Sequence, residues 1–166
     1  ISVNEYMQSV SNSHVYAAGD NTDTEGLPLT PFATMEGHVA ASNIIEGNNK
    51  KPDYKVRPTV VYTVPSVATV GVTEKEAREN ELSIQVNYKS VPEWFNAKHR
   101  GESTYAYKVI IDKESDLILG AHLIGTNAEE TINLFALAIK TGIKAGDLKT
   151  IPFTFPSDAS DIPGML

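Results

Sequence analysis

The chain has 166 residues and a formal net charge of −7, and 41% of its residues are hydrophobic, which is enough to bury a core. The acidic balance argues against a nucleic-acid partner, which requires a basic patch, and no apolar run reaches the ~18 residues of a membrane helix. Because the chain has no cysteine, it contains no disulfide, thiolate nucleophile or cysteine zinc site. We therefore expect a cytoplasmic protein without a nucleic-acid or membrane partner, and the start at Ile1 suggests a processed form or a piece of a longer protein.

The first 50 residues predict one β-strand followed by one α-helix. Residues 14–18 are short and apolar, as in a buried strand, and Gly19 and Asp20 follow them directly. Thr30 is expected as the N-cap of the helix, with Pro31 at its first position. The Gly-Asp pair fits a site where the backbone approaches a ligand and a carboxylate accepts hydrogen bonds from hydroxyls. It also fits a simple turn after a strand.

The remaining residues, from 51 onward, predict an α+β domain with an antiparallel sheet and helices packed on it. Alternating or β-branched residues predict four strands, with the last two paired as a hairpin: 59–64, 84–90, 105–111 and 117–124. Thr73 and Glu76 have the spacing of a capping box and open a short helix. A later helix, residues 129–141, is apolar on nearly all sides, so it is expected to be covered on several sides.

Two further groups of residues allow more than one interpretation. The four histidines lack the spacing of metal ligands, so we predict no metal site: His14, His38, His99 and His122. Trp94 and Phe95 form the one local aromatic cluster. This cluster is either a packed loop anchor or an interface or substrate-facing loop.

Residues 11–47, SNSHVYAAGDNTDTEGLPLTPFATMEGHVAASNIIEG, resemble the second flavin-contacting motif of a flavoprotein family. The family is the pyridine nucleotide-disulfide oxidoreductases, which include glutathione reductase, dihydrolipoamide dehydrogenase and mercuric reductase. The later stretches PSVATVGVTEKEA and KVIIDKESDLILGAHLIGTNAEETINLFALAIKTGI resemble the C-terminal dimerisation domain of the same family. The resemblance implies a remnant of an FAD-binding domain at residues 1–50 and a dimerisation domain at residues 51–166.

The resemblance also implies roles for individual residues. Asp20 stands where the family's aspartate hydrogen-bonds the ribityl chain of FAD, and residues 29–33 stand where a helix start approaches the flavin ring. The implied cofactor-binding residues are Gly19, Asp20, Leu29, Thr30, Pro31 and Ala33. FAD and NAD(P)H are the implied cofactors of the parent enzyme. The family's glycine-rich FAD fingerprint, redox cysteine pair and NAD(P)H domain are not in this sequence, so we expect the chain alone to bind neither cofactor and to be inactive.

The C-terminal stretch FPSDASDIPGML departs from the family pattern. The disulfide reductases carry His-Pro-Thr there, with a glutamate five residues after the histidine, as the acid-base pair of catalysis. In this chain Phe155 stands at the histidine position and Ser160 at the glutamate position, and Phe155 has no proton to give. Asp158 is a candidate substitute, although a carboxylate in a solvated C-terminal turn is the more common situation.

These observations predict the C-terminal dimerisation fragment of a flavoprotein oxidoreductase. The parent would transfer hydride from NAD(P)H through FAD to a disulfide or another acceptor. The expected partners are a second copy of the chain and the parent's N-terminal FAD and NAD(P)H domains. The alternative is a stand-alone interaction or small-ligand-binding module without redox activity.

Overall fold

The computed structural model describes all 166 residues, which form two compact units, Ile1–Lys55 and Val56–Leu166. The helices are α1 (Thr30–Glu46), α2 (Glu74–Glu79), α3 (Phe95–Arg100), α4 (Ala128–Thr141), α5 (Ala145–Lys149), a 3-10 helix (Asp158–Asp161) and α6 (Ile162–Met165). The strands are β1 (Thr59–Val61), β2 (Val67–Gly71), β3 (Ile84–Ser90), β4 (Ala106–Asp112) and β5 (Ile118–Ile124). None of the helices has the length and hydropathy needed to cross a membrane.

The first unit is built around α1. The helix begins at Thr30, and Leu29 rather than Thr30 is its N-cap, in an extended conformation and without a capping side chain. Asn43 is buried near the other end of the helix, where its side-chain amide donates to the carbonyl oxygens of Tyr6 and Lys50. This side chain therefore ties α1 to the chain on both sides of it.

The segment 14–18, expected as a strand, forms only one β-bridge, between Tyr16 and Gln8. A strand requires a neighbour over several residues. The first unit offers this segment a partner at a single position, so the segment is extended without being part of a sheet.

The second unit contains one five-stranded sheet in the order β1-β2-β5-β4-β3, and all neighbouring strands are antiparallel. The predicted hairpin is confirmed as β4 and β5, and the capping box of Thr73 and Glu76 opens α2. The predicted strand at 59–64 ends at Val61, and β2 was not predicted. Between β1 and β2 the chain turns, with the Thr63 hydroxyl donating to the Pro65 carbonyl, so the expected strand is shorter than predicted and a separate strand follows it.

Helix α4 packs against one face of this sheet. Because side chains alternate along a strand, Tyr107, Val109 and Ile111 of β4 point into the core that α4 covers. From the helix, Ile132, Phe135 and Ala138 enter the same core.

The outer side of α4 is mixed rather than apolar. Leu137 is 55% exposed, and Asn133 and Lys140 are also exposed. The sequence suggested that α4 would be covered on several sides. In the structure its outer side is exposed to solvent and carries both polar and apolar side chains.

Trp94 is a packed anchor of its loop. Its ring lies 5.6 Å from the ring of Tyr107 and 6.4 Å from the ring of Tyr105, between ring centroids. A Cβ atom on Gly164 would lie 2.9 Å from the indole, so the C-terminal turn closes over the ring. The neighbouring Phe95 is 52% exposed.

Candidate functional site

The residues expected to contact a flavin come together in the first unit. An open cleft of about 540 Å³ is lined by Asp20, Pro28, Leu29, Thr30, Ala33 and Thr34. Gly19 lies behind this cleft with a positive φ of 83°, and a Cβ atom there would lie 3.3 Å from the Cβ of Ala33. Of the predicted residues, only Pro31 is not part of the cleft or packed directly behind it.

Asp20 lies in a tight turn. The backbone N–H of Thr22 donates to the Gly19 carbonyl at 2.9 Å, which leaves Asp20 and Asn21 as the two central residues of the turn. Asp20 is exposed, so its carboxylate is accessible from the cleft. A carboxylate in this position can accept hydrogen bonds from the hydroxyls of a bound molecule.

Glu36 of α1 holds this loop from behind and was not predicted as a site residue. Its side chain is 2% exposed. It accepts hydrogen bonds from the backbone N–H of Gly19 at 2.7 Å and from the hydroxyls of Thr24 at 2.7 Å and Tyr54 at 2.6 Å. The Thr22 hydroxyl adds a longer bond of 3.3 Å. Four donors thus converge on one buried carboxylate.

The surroundings of Glu36 favour its ionised form. Burial raises the pKa of this carboxyl, but the hydrogen bonds from Tyr54 and from the loop outweigh burial, so the pKa lies below its ordinary value of 4.5. Burial, together with the Glu36 carboxylate, raises the pKa of Tyr54 to about 12. The spacing of Phe32, Glu36 and Ala40, four residues apart on the buried side of α1, was the signal in the sequence that could have identified this carboxylate.

The C-terminal segment forms an exposed aromatic patch in the second unit. Phe155 is 67% exposed, and its ring centroid lies 5.0 Å from that of Phe95. Phe95 in turn stacks on His99 at 5.8 Å. We call Phe95, His99 and Phe155 the aromatic patch. Large aromatic side chains are among the residues enriched where proteins meet.

Asp158 lies next to this patch but has partners within its own unit. Its carboxylate is 2.8 Å from the Arg100 guanidinium and accepts a hydrogen bond from the side-chain amide of Asn127, also at 2.8 Å. The nearby Asp161 accepts from the Tyr105 hydroxyl at 2.9 Å, and burial raises the pKa of Asp161. Ser160 contributes its backbone N–H and hydroxyl to Ser157 within the 3-10 helix. These contacts describe a well-connected turn.

A second cleft lies on the sheet face opposite α4. This sheet groove has a volume of about 530 Å³, and its lining includes Val67, Tyr88, Lys108, His122 and Ile124. His122 donates through Nε2 to the Val72 carbonyl and accepts at Nδ1 from the Thr69 hydroxyl, and burial lowers its pKa. The Lys108 ammonium is 2.8 Å from the Glu74 carboxylate. No three His, Asp or Glu side chains are arranged to hold a metal ion.

Comparisons with known proteins bear on both units. Residues 57–164 match the family described as pyridine nucleotide-disulphide oxidoreductase, dimerisation domain. A Staphylococcus aureus protein, named only as an uncharacterized 19.7 kDa protein in the mercuric resistance operon, is 51% identical over 166 residues. That alignment covers 100% of this chain and 92% of the relative. The mercuric reductase of Bacillus cereus is 36% identical over 149 residues, which is 90% of this chain but only 23% of the reductase.

A solved structure of a flavoprotein has a similar fold. The HOCl-induced flavoprotein disulfide reductase RclA from Escherichia coli is 26% identical, with a TM-score of 0.88. The match covers 98% of this chain and 37% of that protein. The chain therefore spans a minor part of the reductases it resembles and nearly all of the 19.7 kDa relative.

Proposed function

Because the chain belongs to the pyridine nucleotide-disulphide oxidoreductase family through its dimerisation domain, we propose that it is an assembly unit that forms a homodimer through Val56–Leu166. The observation that carries this proposal is the family match over residues 57–164. The exposed aromatic patch and Leu137 support it, because large apolar side chains grouped on a surface commonly mark an interaction site.

Sedimentation at micromolar concentration tests this proposal. A homodimer has twice the chain mass of 18.0 kDa. A single species with the mass of one chain would rule out the homodimer.

We further propose that the cleft around Asp20 is one part of an FAD site that other domains complete. The cleft offers one carboxylate acceptor and the start of α1, which fit a sugar-alcohol chain and an electron-rich ring edge. FAD would supply the hydride chemistry of the parent enzyme, between NAD(P)H and a disulfide or another acceptor. The family's glycine-rich loop for the pyrophosphate is not among the 166 residues.

The chain alone should therefore bind FAD too weakly to be purified with it, since most of the cofactor would stay in water. Purified protein is expected to be colourless. Stoichiometric yellow flavin with a submicromolar dissociation constant would show that the chain holds a complete site.

Phe155 points to an altered chemistry in the parent. Disulfide exchange releases a thiolate that a positioned acid protonates, an effect worth about 10²- to 10⁴-fold in rate. We propose that a parent carrying Phe155 either uses a different acceptor or protonates the thiolate by another route, with Asp158 as the nearby candidate. Restoring the dyad by Phe155→His with Ser160→Glu should raise disulfide reduction relative to quinone or oxygen reduction. No change in that ratio would contradict the proposal.

A second candidate function is a small-ligand-binding module without redox activity, and the sheet groove is the observation that favours it. Its apolar floor and its few polar groups, among them His122 and Lys108, are typical of a ligand site. A chain that stays monomeric and shows ligand-induced shifts of the His122 ring resonances in NMR spectra would support this function over assembly.

A further inference from the structure

We propose that Glu36 is a positioning residue that fixes the loop of residues 19–24, and with it the Asp20 carboxylate, for contact with a hydroxyl-bearing ligand. The inference rests on the proposed role of Asp20 in a flavin site. It concerns a residue of α1 whose side chain does not line the cleft itself.

The two oxygens of the Glu36 carboxylate hold different parts of the loop. Oε2 accepts from the Gly19 N–H at 2.7 Å and from the Thr22 hydroxyl at 3.3 Å. Oε1 accepts from the Thr24 hydroxyl at 2.7 Å and from Tyr54 at 2.6 Å. The Glu36 side chain therefore contacts Gly19 and Thr22, the first and last residues of the turn that contains Asp20. It also holds Thr24, two residues after the turn.

Fixing the two ends of the turn determines where Asp20 points. Asp20 has a short side chain, so the backbone decides the position of its carboxylate to within a small range. The Thr22 hydroxyl shares its one proton between the Gly19 carbonyl, at 2.5 Å, and the more distant Glu36 carboxylate, at 3.3 Å. It therefore closes the turn on itself and bonds Glu36 only weakly. A ligand-contacting group held by buried hydrogen bonds is ordered before the ligand arrives, which lowers the cost of binding.

A carboxylate of this length fits the donors best. A glutamine could keep its oxygen toward the Gly19 N–H only if its N–H₂ group faced the hydroxyls of Thr24 and Tyr54, which would then have to accept instead of donate. An aspartate is one methylene too short to reach both sides. Gly26 leaves the necessary space, because a Cβ atom there would lie 2.5 Å from Oε1 of Glu36 and 3.1 Å from the Tyr54 ring. The loop, the helix and Tyr54 are thus arranged around this one acceptor.

Amide hydrogen exchange of the full chain, followed by NMR, tests the positioning role. In Glu36→Gln, exchange at the Gly19 amide should accelerate by about tenfold or more, since its N–H loses a charged acceptor. Exchange at the Thr22 amide, which donates to the Gly19 carbonyl, should accelerate with it as the turn loosens. The matched control is Glu46→Gln, at the exposed end of the same helix, where Glu46 pairs with Lys50. It should leave the loop amides unchanged.

Glu36→Asp covers the case in which Glu36→Gln does not fold. It keeps the charge but not the reach, so an intermediate acceleration at Gly19 is expected. Unchanged exchange at Gly19 and Thr22 in the folded variants would overturn the inference.

Titration with FMN, a soluble molecule that carries the ribityl chain, separates this inference from the proposed flavin role. In the wild type, millimolar FMN should shift the amide resonances of Asp20 and of residues 29–33. Asp20→Asn should raise the FMN dissociation constant about tenfold without accelerating exchange in the loop. Glu36→Gln should raise the dissociation constant and accelerate exchange in the loop. No shift in the wild type would refute the flavin role of Asp20. A loosened loop with unchanged FMN affinity would refute the positioning role of Glu36.

Discussion

Gly19 meets two separate demands at one position. Its φ of 83° lies in the region that residues with a Cβ atom rarely adopt, and the site where its Cβ would stand is 3.3 Å from the Cβ of Ala33. Gly47 at the end of α1 has the same φ, but nothing lies within 4 Å of its missing Cβ. A side chain at either position would therefore have to adopt an unfavourable positive φ. Only at position 19 would it also collide with Ala33.

We expect Gly47→Ala to lower the free energy of unfolding of the first unit by about 1–3 kcal/mol, because its φ of 83° and ψ of 164° lie in a region that is nearly confined to glycine. Gly19→Ala should lower it further, because Ala33 and the start of α1 must move. Urea unfolding followed by circular dichroism measures both variants. Equal losses would mean that the contact with Ala33 contributes nothing.

Glu36 and Tyr54 predict how the first unit responds to pH. The pKa of Glu36 is lowered in the folded state, so its contribution is present above the ordinary value of 4.5 and is lost as the pH falls below it. The pKa of Tyr54 is raised to about 12, so its contribution is present below 10 and is lost as the pH rises toward 12. Chemical unfolding of the wild type and Glu36→Gln at several pH values measures this. A loss on acidification that is the same in both proteins would contradict the role of Glu36.

The carboxylate of Asp158, near the C-terminus, joins three elements of the second unit. Asp158 at the start of the 3-10 helix contacts Arg100 at the end of α3 and Asn127, the residue before α4. Neither α3 nor the 3-10 helix is long enough to be stable alone. Their position therefore depends on contacts of this kind.

Asp158→Ala is expected to lower the free energy of unfolding of the second unit by about 1.5–3 kcal/mol, the range for hydrogen bonds to charged groups. Glu114→Ala is the control, because it removes an equal charge at an exposed position in the β4–β5 turn. Thermal or urea unfolding gives the comparison. Similar small effects in both variants would show that Asp158 is not a structural link.

The elements that the sequence predicted well are those whose pattern is local. The strands β3 and β4, their hairpin partner β5 and the capping box of α2 are confirmed, because side-chain alternation, the turn and the cap depend on neighbouring residues. Strand β2 was missed although it pairs locally with β1, because its five residues include Ala68 and Gly71, which are depleted in strands. Glu36 was missed because its donors come from two parts of the first unit that are distant from it in sequence, the loop of residues 19–24 and Tyr54.

On the scale of the whole molecule, the outer side of α4 is one of the surfaces that the chain's own packing leaves uncovered. Leu137 is 55% exposed there, while the opposite side of α4 packs onto the sheet. Because residues 57–164 match a dimerisation domain, we propose that Leu137, exposed on this helix of 14 residues, is a contact between copies.

Leu137→Glu should raise the dissociation constant of the homodimer by about tenfold or more while leaving the chain folded. A loss of this size is typical of a residue at the centre of an interface. Leu82→Glu is the control, because Leu82 is 41% exposed and lies outside α4. Sedimentation over a concentration series distinguishes the two variants. Equal dissociation constants would place the interface elsewhere on the second unit.

The packing of Trp94 also makes the second unit its own optical reporter. Trp94 is the one tryptophan of the chain, and it lies between tyrosine rings within Val56–Leu166. Tryptophan fluorescence, excited at wavelengths that tyrosine does not absorb, therefore follows the melting of the second unit alone. Far-ultraviolet circular dichroism follows both units, because α1 contributes 17 helical residues from the first. The difference between the two melting curves measures whether the two units unfold as one cooperative body or as two.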